Sequence, residues 1–384
     1  MKHYRLHCIL MTLVRYIVTP VIKSLFKYSC EKVKLPDRPS IIIANHNSNL
    51  DPAMVSLGLR KHFYFLASEH AFRMGLVSLF LKFVFAPIPF NKVKADPSSL
   101  KDMLARVKAG YSVCLFAEGN RSYNGLTGHI PFSTAKLVKM SGGALITYRL
   151  EGGFLSTPRW AKKRRKGKME GRVVGQYSAE EIKSMSADEV YSIIKRDIHE
   201  DAYQRQKLNP IPYRGEDLAE HIEIALYMCP LCKKTGTIQS RGDSFFCGCG
   251  LSGLYTETGF LEGENLPFST IAEWDQWQAE QFTAMVRNAG DEPICMDKDQ
   301  KLFLIKPLGE SILVEEGLMQ INKTELKCAS QVFLIQNITR YAVVDRMTLT
   351  FALSNGAMYE VRSGTPRNVL KYIIALRVIR NENE

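Results

Sequence analysis

Two uninterrupted apolar runs, Ser40–Asn45 (SIIIAN) and Tyr111–Phe116 (YSVCLF), each stop on a cluster of polar and charged residues. A strand open to water on one face alternates in polarity. One that is apolar at every position is covered on both faces, as in a sheet flanked by helices. The runs therefore predict buried strands of an α/β domain. His46, Asn47, Ser48, Asn49, Leu50 and Asp51 follow the first, ahead of Pro52 and a helical stretch at 53–59. Ala117, Glu118, Gly119, Asn120, Arg121 and Ser122 follow the second. Residues at the C-terminal end of such a strand face the crevice where ligands bind, so both clusters are candidate site segments.

His46 and Asp51 stand five apart, roughly 140° round a helix, and would not share a helical face. A turn between strand and helix can instead return the carboxylate to the imidazole, making a base with an orienting acid. The plainer reading makes Asp51 an N-cap before Pro52, with Asn45, Ser48 and Asn49 as turn residues. Ser48 as a covalent nucleophile is a rival, without an independently placed base. Arg121 carries the planar fork that suits phosphate, and Gly119 lets backbone approach a ligand. An apolar helix at Phe72–Phe85 and the extended piece Ala86–Lys92 would deliver a further cation, Lys92.

Together the segments resemble the glycerolipid acyltransferase family, which includes glycerol-3-phosphate and lysophosphatidic acid (1-acyl-sn-glycerol-3-phosphate) acyltransferases. N-H-N-S-N-L-D at Asn45–Asp51 matches its N-H-x4-D motif, and F-A-E-G-N-R-S at Phe116–Ser122 matches F-P-E-G-T-R-S. The resemblance covers 29–225. It implies His46 as general base with Asp51 as its partner, and Lys92, Glu118, Gly119 and Arg121 at the acceptor phosphate, with Lys92 replacing the family's arginine. Ala117 and Asn120 depart from the third motif. The fourth motif would fall at Ala144–Tyr148, where Ile146-Thr147 stands in place of proline.

Residues 1–28 hold Lys2, Arg5, Arg15, Lys23 and Lys27 and no acid, with apolar residues three and four apart. That spacing predicts a membrane-interfacial amphipathic helix, kinked or broken at Pro20; packing on its own domain is the alternative. Arg15, Pro20 and Lys23 interrupt it as a spanning segment, and no small-residue cleavage site marks a signal peptide. A second basic run, Arg159–Arg172, reads as a solvated loop or a contact for anionic headgroups. The chain's formal +12 points to an anionic partner of some kind.

Of nine cysteines, four fall at Cys229, Cys232, Cys247 and Cys249. The other five are scattered, unlike a secreted disulfide framework, which points to a reducing compartment. C-x2-C and C-x-C, 14 residues apart, predict a closed four-thiolate site in a zinc ribbon at 226–262: structural Zn2+, with iron as the alternative metal. Gly248 and Gly250 would permit the tighter second turn.

Ser178-x-x-Glu181, Ser186-x-x-Glu189 and Thr270-x-x-Glu273 read as capping boxes. The first two open a helical region at 178–207, the third a linker helix within 263–290. Residues 291–384 alternate like short strands and end in a helix at Pro366–Val378, similar to PH or GRAM-like domains.

The chain is thus expected to be a peripheral or monotopic enzyme on the cytoplasmic side of the cell membrane. It would move an acyl group from acyl-CoA or acyl-ACP to the hydroxyl of lysophosphatidic acid. Its partners would be anionic lipid, a lysophospholipid acceptor and the thioester carrier. The ribbon's neighbourhood is not strongly basic, which argues against nucleic acid. Another lysophospholipid or glycerol-3-phosphate would use the same base. The non-catalytic alternative is a basic zinc-ribbon protein that binds lipid or nucleic acid.

Overall fold

Ile41 and Ile43 face one side of the first long strand, Ile42 and Ala44 the other, and each side lies in a separate buried core. This is why the run at 40–44 is apolar throughout. The computed structural model describes residues 4–31, 33–36, 39–68, 85–90, 97–306 and 310–382. The expected helix Phe72–Phe85 falls almost wholly outside them, and Lys92 does so entirely.

Seven strands, β1 (Ser29–Cys30), β2 (Ser40–Ala44), β3 (Tyr64–Ser68), β4 (Ile88–Phe90), β5 (Val113–Phe116), β6 (Ala144–Glu151) and β7 (Glu170–Tyr177), form one sheet in the order β1-β7-β6-β2-β5-β3-β4. The central strands run parallel: β2 pairs with β5 and β6, and β5 with β3. Helix α1 (Tyr4–Phe26) and α2 (Asp51–Leu59) cover one face through Ile22, Phe26, Met54 and Val55. On the other face α3 (Ser98–Lys108) and α4 (Ser133–Ser141) contribute Met103, Val107, Ala135 and Val138.

α1 is one continuous helix through Pro20, so the helix is not broken there. Met11 before the proline and Ile22 and Phe26 after it enter the same core, and Pro20 itself faces outward. Packing on both sides thus holds the axis where the missing N–H would loosen it. By length and composition the helix is long and apolar enough to cross a membrane. Leu6, Ile9, Leu13, Tyr16, Ile17 and Val21 are exposed along it.

Downstream, α5 (Gly153–Ser156) precedes β7. The expected helical region at 178–207 is three helices, α6 (Ala179–Ser184), α7 (Ala187–Ile198) and α8 (Ala202–Leu208). Both serine capping boxes are present. Four antiparallel strands follow, β8 (Ile238–Arg241), β9 (Ser244–Cys247), β10 (Ser252–Tyr255) and β11 (Leu261–Glu262). A third core joins Phe154, Trp160 and Tyr203 to Cys229, Phe245, Cys247 and Trp274, so it spans the expected boundary at 225/226. Trp274 lies on α9 (Ile271–Arg287), whose capping box at Thr270 is also formed.

The C-terminal region is an antiparallel sheet of β12 (Cys295–Ile305), β13 (Ser311–Ile321), β14 (Glu325–Cys328), β15 (Gln331–Leu334), β16 (Ile338–Val344), β17 (Thr348–Leu353) and β18 (Met358–Ser363). It is covered by α9 and the final helix α10 (Leu370–Ile379), through Phe282, Val286, Tyr372 and Leu376.

The basic run at 159–172 is the expected solvated loop only in part: Lys162, Lys163, Arg164, Lys166 and Lys168 are exposed. Arg159 and Arg165 are buried. Arg165 stacks on Trp160 and Tyr255. Lys163 pairs with Glu216 and Asp217, Lys168 with Glu170, and Arg172 with Glu151.

Candidate active site

Register sets the site. Ala44 of β2 pairs with Phe116 of β5 on one side and Tyr148 of β6 on the other. His46, Glu118 and Leu150 each lie two residues beyond these partners, at one end of the sheet. The loops there are stitched together through the His46 backbone. Its N–H donates to Glu118 Oε1 at 2.7 Å, and its carbonyl accepts the Ser122 N–H at 2.8 Å.

The loop at 45–51 folds back so that His46 Nδ1 lies 2.8 Å from Asp51 Oδ2. Asp51 is fully buried. The same carboxylate accepts the Asn47 N–H at 2.6 Å, the Ser48 N–H at 2.9 Å and, on Oδ1, the Ser48 hydroxyl at 2.5 Å. Four donors thus converge on one buried carboxylate and fix its orientation. Asp51 therefore does not cap α2, whose N-cap is Leu50 with no side-chain bond; its bonds run back into the preceding loop. With Nδ1–H donated to Asp51, the imidazole keeps a lone pair on Nε2. The ring stacks on Phe116 at 4.5 Å. Ser48 is buried with its hydroxyl on Asp51, an arrangement that does not suit a nucleophile.

Glu118 braces the two loops: Oε1 takes the His46 N–H and Oε2 the Gly128 N–H at 2.6 Å. Both oxygens are thus already bonded at the place expected to serve an acceptor. Gly119 sits in a left-handed turn, φ 65°, so its freedom is needed for the turn itself. Among the described residues the Arg121 guanidinium has no hydrogen-bond partner. Burial and the neighbouring Arg159 charge push its pKa down to about 10, a setting that favours an incoming anion.

Three further residues support the site. Asn45 completes a ladder to β6: Oδ1 accepts the Leu150 N–H at 2.7 Å and Nδ2 donates to the Leu150 carbonyl at 2.8 Å. Asn47 Nδ2 donates to the same carbonyl at 3.0 Å and to Glu200. Buried Glu200 also accepts the Gly152 N–H at 2.8 Å. The asparagines belong to the motif and read as turn residues. Glu200 carries no local signal, since it sits in the break between α7 and α8 that helical periodicity conceals.

Burial lifts Glu118 to a pKa of about 8 and Glu200 to about 7. Raised acids keep their protons in the folded chain at pH values where the unfolded chain has lost them. Their contribution therefore weakens folding as pH rises from about 4.5 through 8. Urea unfolding at pH 5.5 and 8.5 is expected to show lower stability at the higher pH, with Glu200 accounting for on the order of 2 kcal/mol. Glu200→Gln should flatten that dependence, though it costs stability at both pH values by setting an amide N–H against another donor. A steeper slope in the variant would contradict the assignment.

The four cysteines converge. Their Sγ atoms lie within 4.8 Å of one another, with Cys229–Cys249 at 3.5 Å and Cys232–Cys247 at 3.8 Å. Tetrahedral Zn–S bonds of about 2.3 Å place sulfurs about 3.8 Å apart, so the donor set fits. Gly250 takes φ 101° in the second turn, where the Gly250 N–H bonds the Cys247 carbonyl at 3.0 Å. Gly248 is not in the left-handed region.

Residues 27–149 match the family model described as Acyltransferase. Over 126 residues the chain is 29% identical to the chloroplastic 1-acyl-sn-glycerol-3-phosphate acyltransferase LPAT1 of Arabidopsis thaliana, covering 32% of this chain and 34% of that protein. The chain thus spans about a third of the length of that relative. The crystal structure of the 1-acyl-sn-glycerophosphate acyltransferase PlsC from Thermotoga maritima aligns with TM-score 0.42 and 18% identity, over 49% of this chain and 78% of that one.

Proposed function

We propose that this chain is an O-acyltransferase that moves a fatty acyl group from a thioester to the free hydroxyl of lysophosphatidic acid, giving phosphatidic acid. The observation that carries the reading is the His46–Asp51 pair, 2.8 Å apart at the strand ends of a domain matching acyltransferases. Nε2 of His46 takes the hydroxyl proton as that oxygen bonds to the thioester carbonyl carbon. The tetrahedral intermediate collapses, the C–S bond breaks, and the thiolate leaves with the proton returned by the imidazolium. Asp51 holds the tautomer and stabilises the cation in between. No acyl-enzyme forms.

Arg121 receives the acceptor phosphate, assisted by Lys92. A phosphomonoester presents paired oxygens to the guanidinium fork, which favours lysophosphatidic acid or glycerol-3-phosphate over a choline-headed lysolipid. The exposed apolar side of α1 favours the lipid of those two. The test is kcat/KM for the three acceptors with palmitoyl-CoA and palmitoyl-ACP as donors. Lysophosphatidic acid is expected to lead, and Arg121→Lys to raise its KM about ten-fold with little change in kcat. Equal use of lysophosphatidylcholine would overturn the acceptor assignment.

α1 packs on the domain along its length through Met11, Ile22 and Phe26. A helix held this way lies in the membrane surface, because crossing would strip it from its core. The protein is then monotopic, on the cytoplasmic face. Cys229, Cys232, Cys247 and Cys249 would hold Zn2+, which supplies folding energy and leaves no open position for chemistry.

A further inference from the structure

Between α1 and the far end of α2 lies a cavity of about 530 Å³. Arg15, Thr19 and Lys23 line it from α1, at spacings of four that put them on one flank of the helix. Arg60 enters from the C-cap of α2, and Leu57 and Cys30 help to form the floor. The three cations face a space with no acidic residue on its walls. Among the described residues none of them forms an ion pair, and Glu31, the first acid in the chain, pairs with none of them. Arg15 is pushed below its ordinary pKa by burial and by the charge of Arg60. Arg60 itself holds a left-handed backbone, φ 51°, that a non-glycine residue rarely adopts. Like charges gathered this way are stabilised by a shared anion.

The setting identifies the anion's source. The row Arg15, Thr19 and Lys23 lies roughly 160° round the helix from the exposed row Leu13, Ile17 and Val21, and Tyr16, exposed and on the cavity wall, bridges the two sides. A helix lying in the membrane on Ile9, Leu13 and Tyr16 brings the side of the cavity walled by Tyr16 and Lys23 to headgroup depth. The catalytic cluster is elsewhere: Asp51 and Arg60 sit at opposite ends of α2, roughly 13 Å apart along its axis. We infer that the cavity is a second, non-catalytic site that takes the phosphate of an anionic phospholipid, held by Arg15, Lys23 and Arg60. The inference rests on the membrane-surface placement of α1 and not on the acyl-transfer chemistry.

Cys30 reports on occupancy, because its thiol lines the cavity. The full chain is mixed with phosphatidylcholine vesicles, with or without phosphatidic acid, and alkylation of Cys30 by N-ethylmaleimide is timed by peptide mass. Phosphatidic acid vesicles are expected to slow it at least about five-fold, the factor for a site four-fifths filled. Arg60→Gln and Lys23→Gln should abolish that protection at vesicle concentrations where they sediment as fully as wild type. Arg5→Gln, an exposed cation of α1 outside the cavity, should keep it. Protection by soluble glycerol phosphate alone would support the phosphate site and show that no acyl chain is needed. Equal protection by neutral vesicles, or in Arg60→Gln, would mean mere coverage by the membrane and overturn the inference. Acyl transfer in detergent micelles, run on the same variants, should match wild type. If wild type fails there while protection holds, the function reading falls and this site stands.

Discussion

His46→Ala is expected to lower acyl transfer by about a thousand-fold with the fold intact, the usual worth of a well-placed general base. The residue is suited to a clean test. Its backbone N–H and carbonyl carry the bonds to Glu118 and Ser122, and alanine retains both. Among the described residues the side chain contributes only the Asp51 contact and the stack on Phe116. Asp51→Asn should be nearly as severe in kcat but less innocent structurally. An amide would set donor against donor among the N–H groups of Asn47 and Ser48 and the Ser48 hydroxyl. Circular dichroism and thermal melting separate the two effects. A His46→Ala enzyme within three-fold of wild type would remove the base from the account.

Loss of the four-cysteine site should produce the largest effect on stability. Cys229 and Cys247 are buried in the core that also holds Trp160, Tyr203 and Trp274. A thiolate site bound to zinc at about 10 kcal/mol or more of apparent free energy would exceed the stability of many domains. Cys247→Ser, or a strong chelator at neutral pH, is expected to lower Tm by more than about 10 °C and to release close to one zinc per chain. The damage should reach catalysis too. Phe154 and Tyr203 of that core flank the loop after Ser122, where a side chain at Gly125 would meet both, and Asn124 of that loop bonds Asp275 of α9 at 2.9 Å. A chain that purifies without metal and melts unchanged in chelator would contradict the structural-zinc assignment.

What was legible in the sequence was local. The apolar runs at 40–45 and 111–116 read as buried strands, within which β2 (40–44) and β5 (113–116) form, and α9 is bounded by Thr270-x-x-Glu273 at its start. The His46–Asp51 contact was legible as an option only: spacing rules out a shared helical face but does not say which turn forms. Long-range partners left no mark. Arg159 looks like part of a solvated run, yet it stacks on Tyr123 at 4.1 Å and donates to the Asp345 carbonyl at 2.8 Å. Its partner lies 186 residues on. Glu200 was hidden for the same reason. Within 291–384 the alternation picks out Lys301–Lys306, Ser311–Val314, Gln331–Ile335, Met347–Leu353 and Met358–Val361 and passes over β14 and β16, where residues such as Lys327 and Arg340 dilute the apolar pattern. Pro20 does not end α1, since packing on both sides of it outweighs a local breaker.

The most direct test of the central claim is acyl transfer itself. Purified chain is incubated with radiolabelled palmitoyl thioester and lysophosphatidic acid in anionic vesicles, and the lipids are separated. The account predicts labelled phosphatidic acid in catalytic amounts and no label retained on the protein when acceptor is omitted. Label held covalently on the chain, or none transferred to any hydroxyl acceptor, would contradict it.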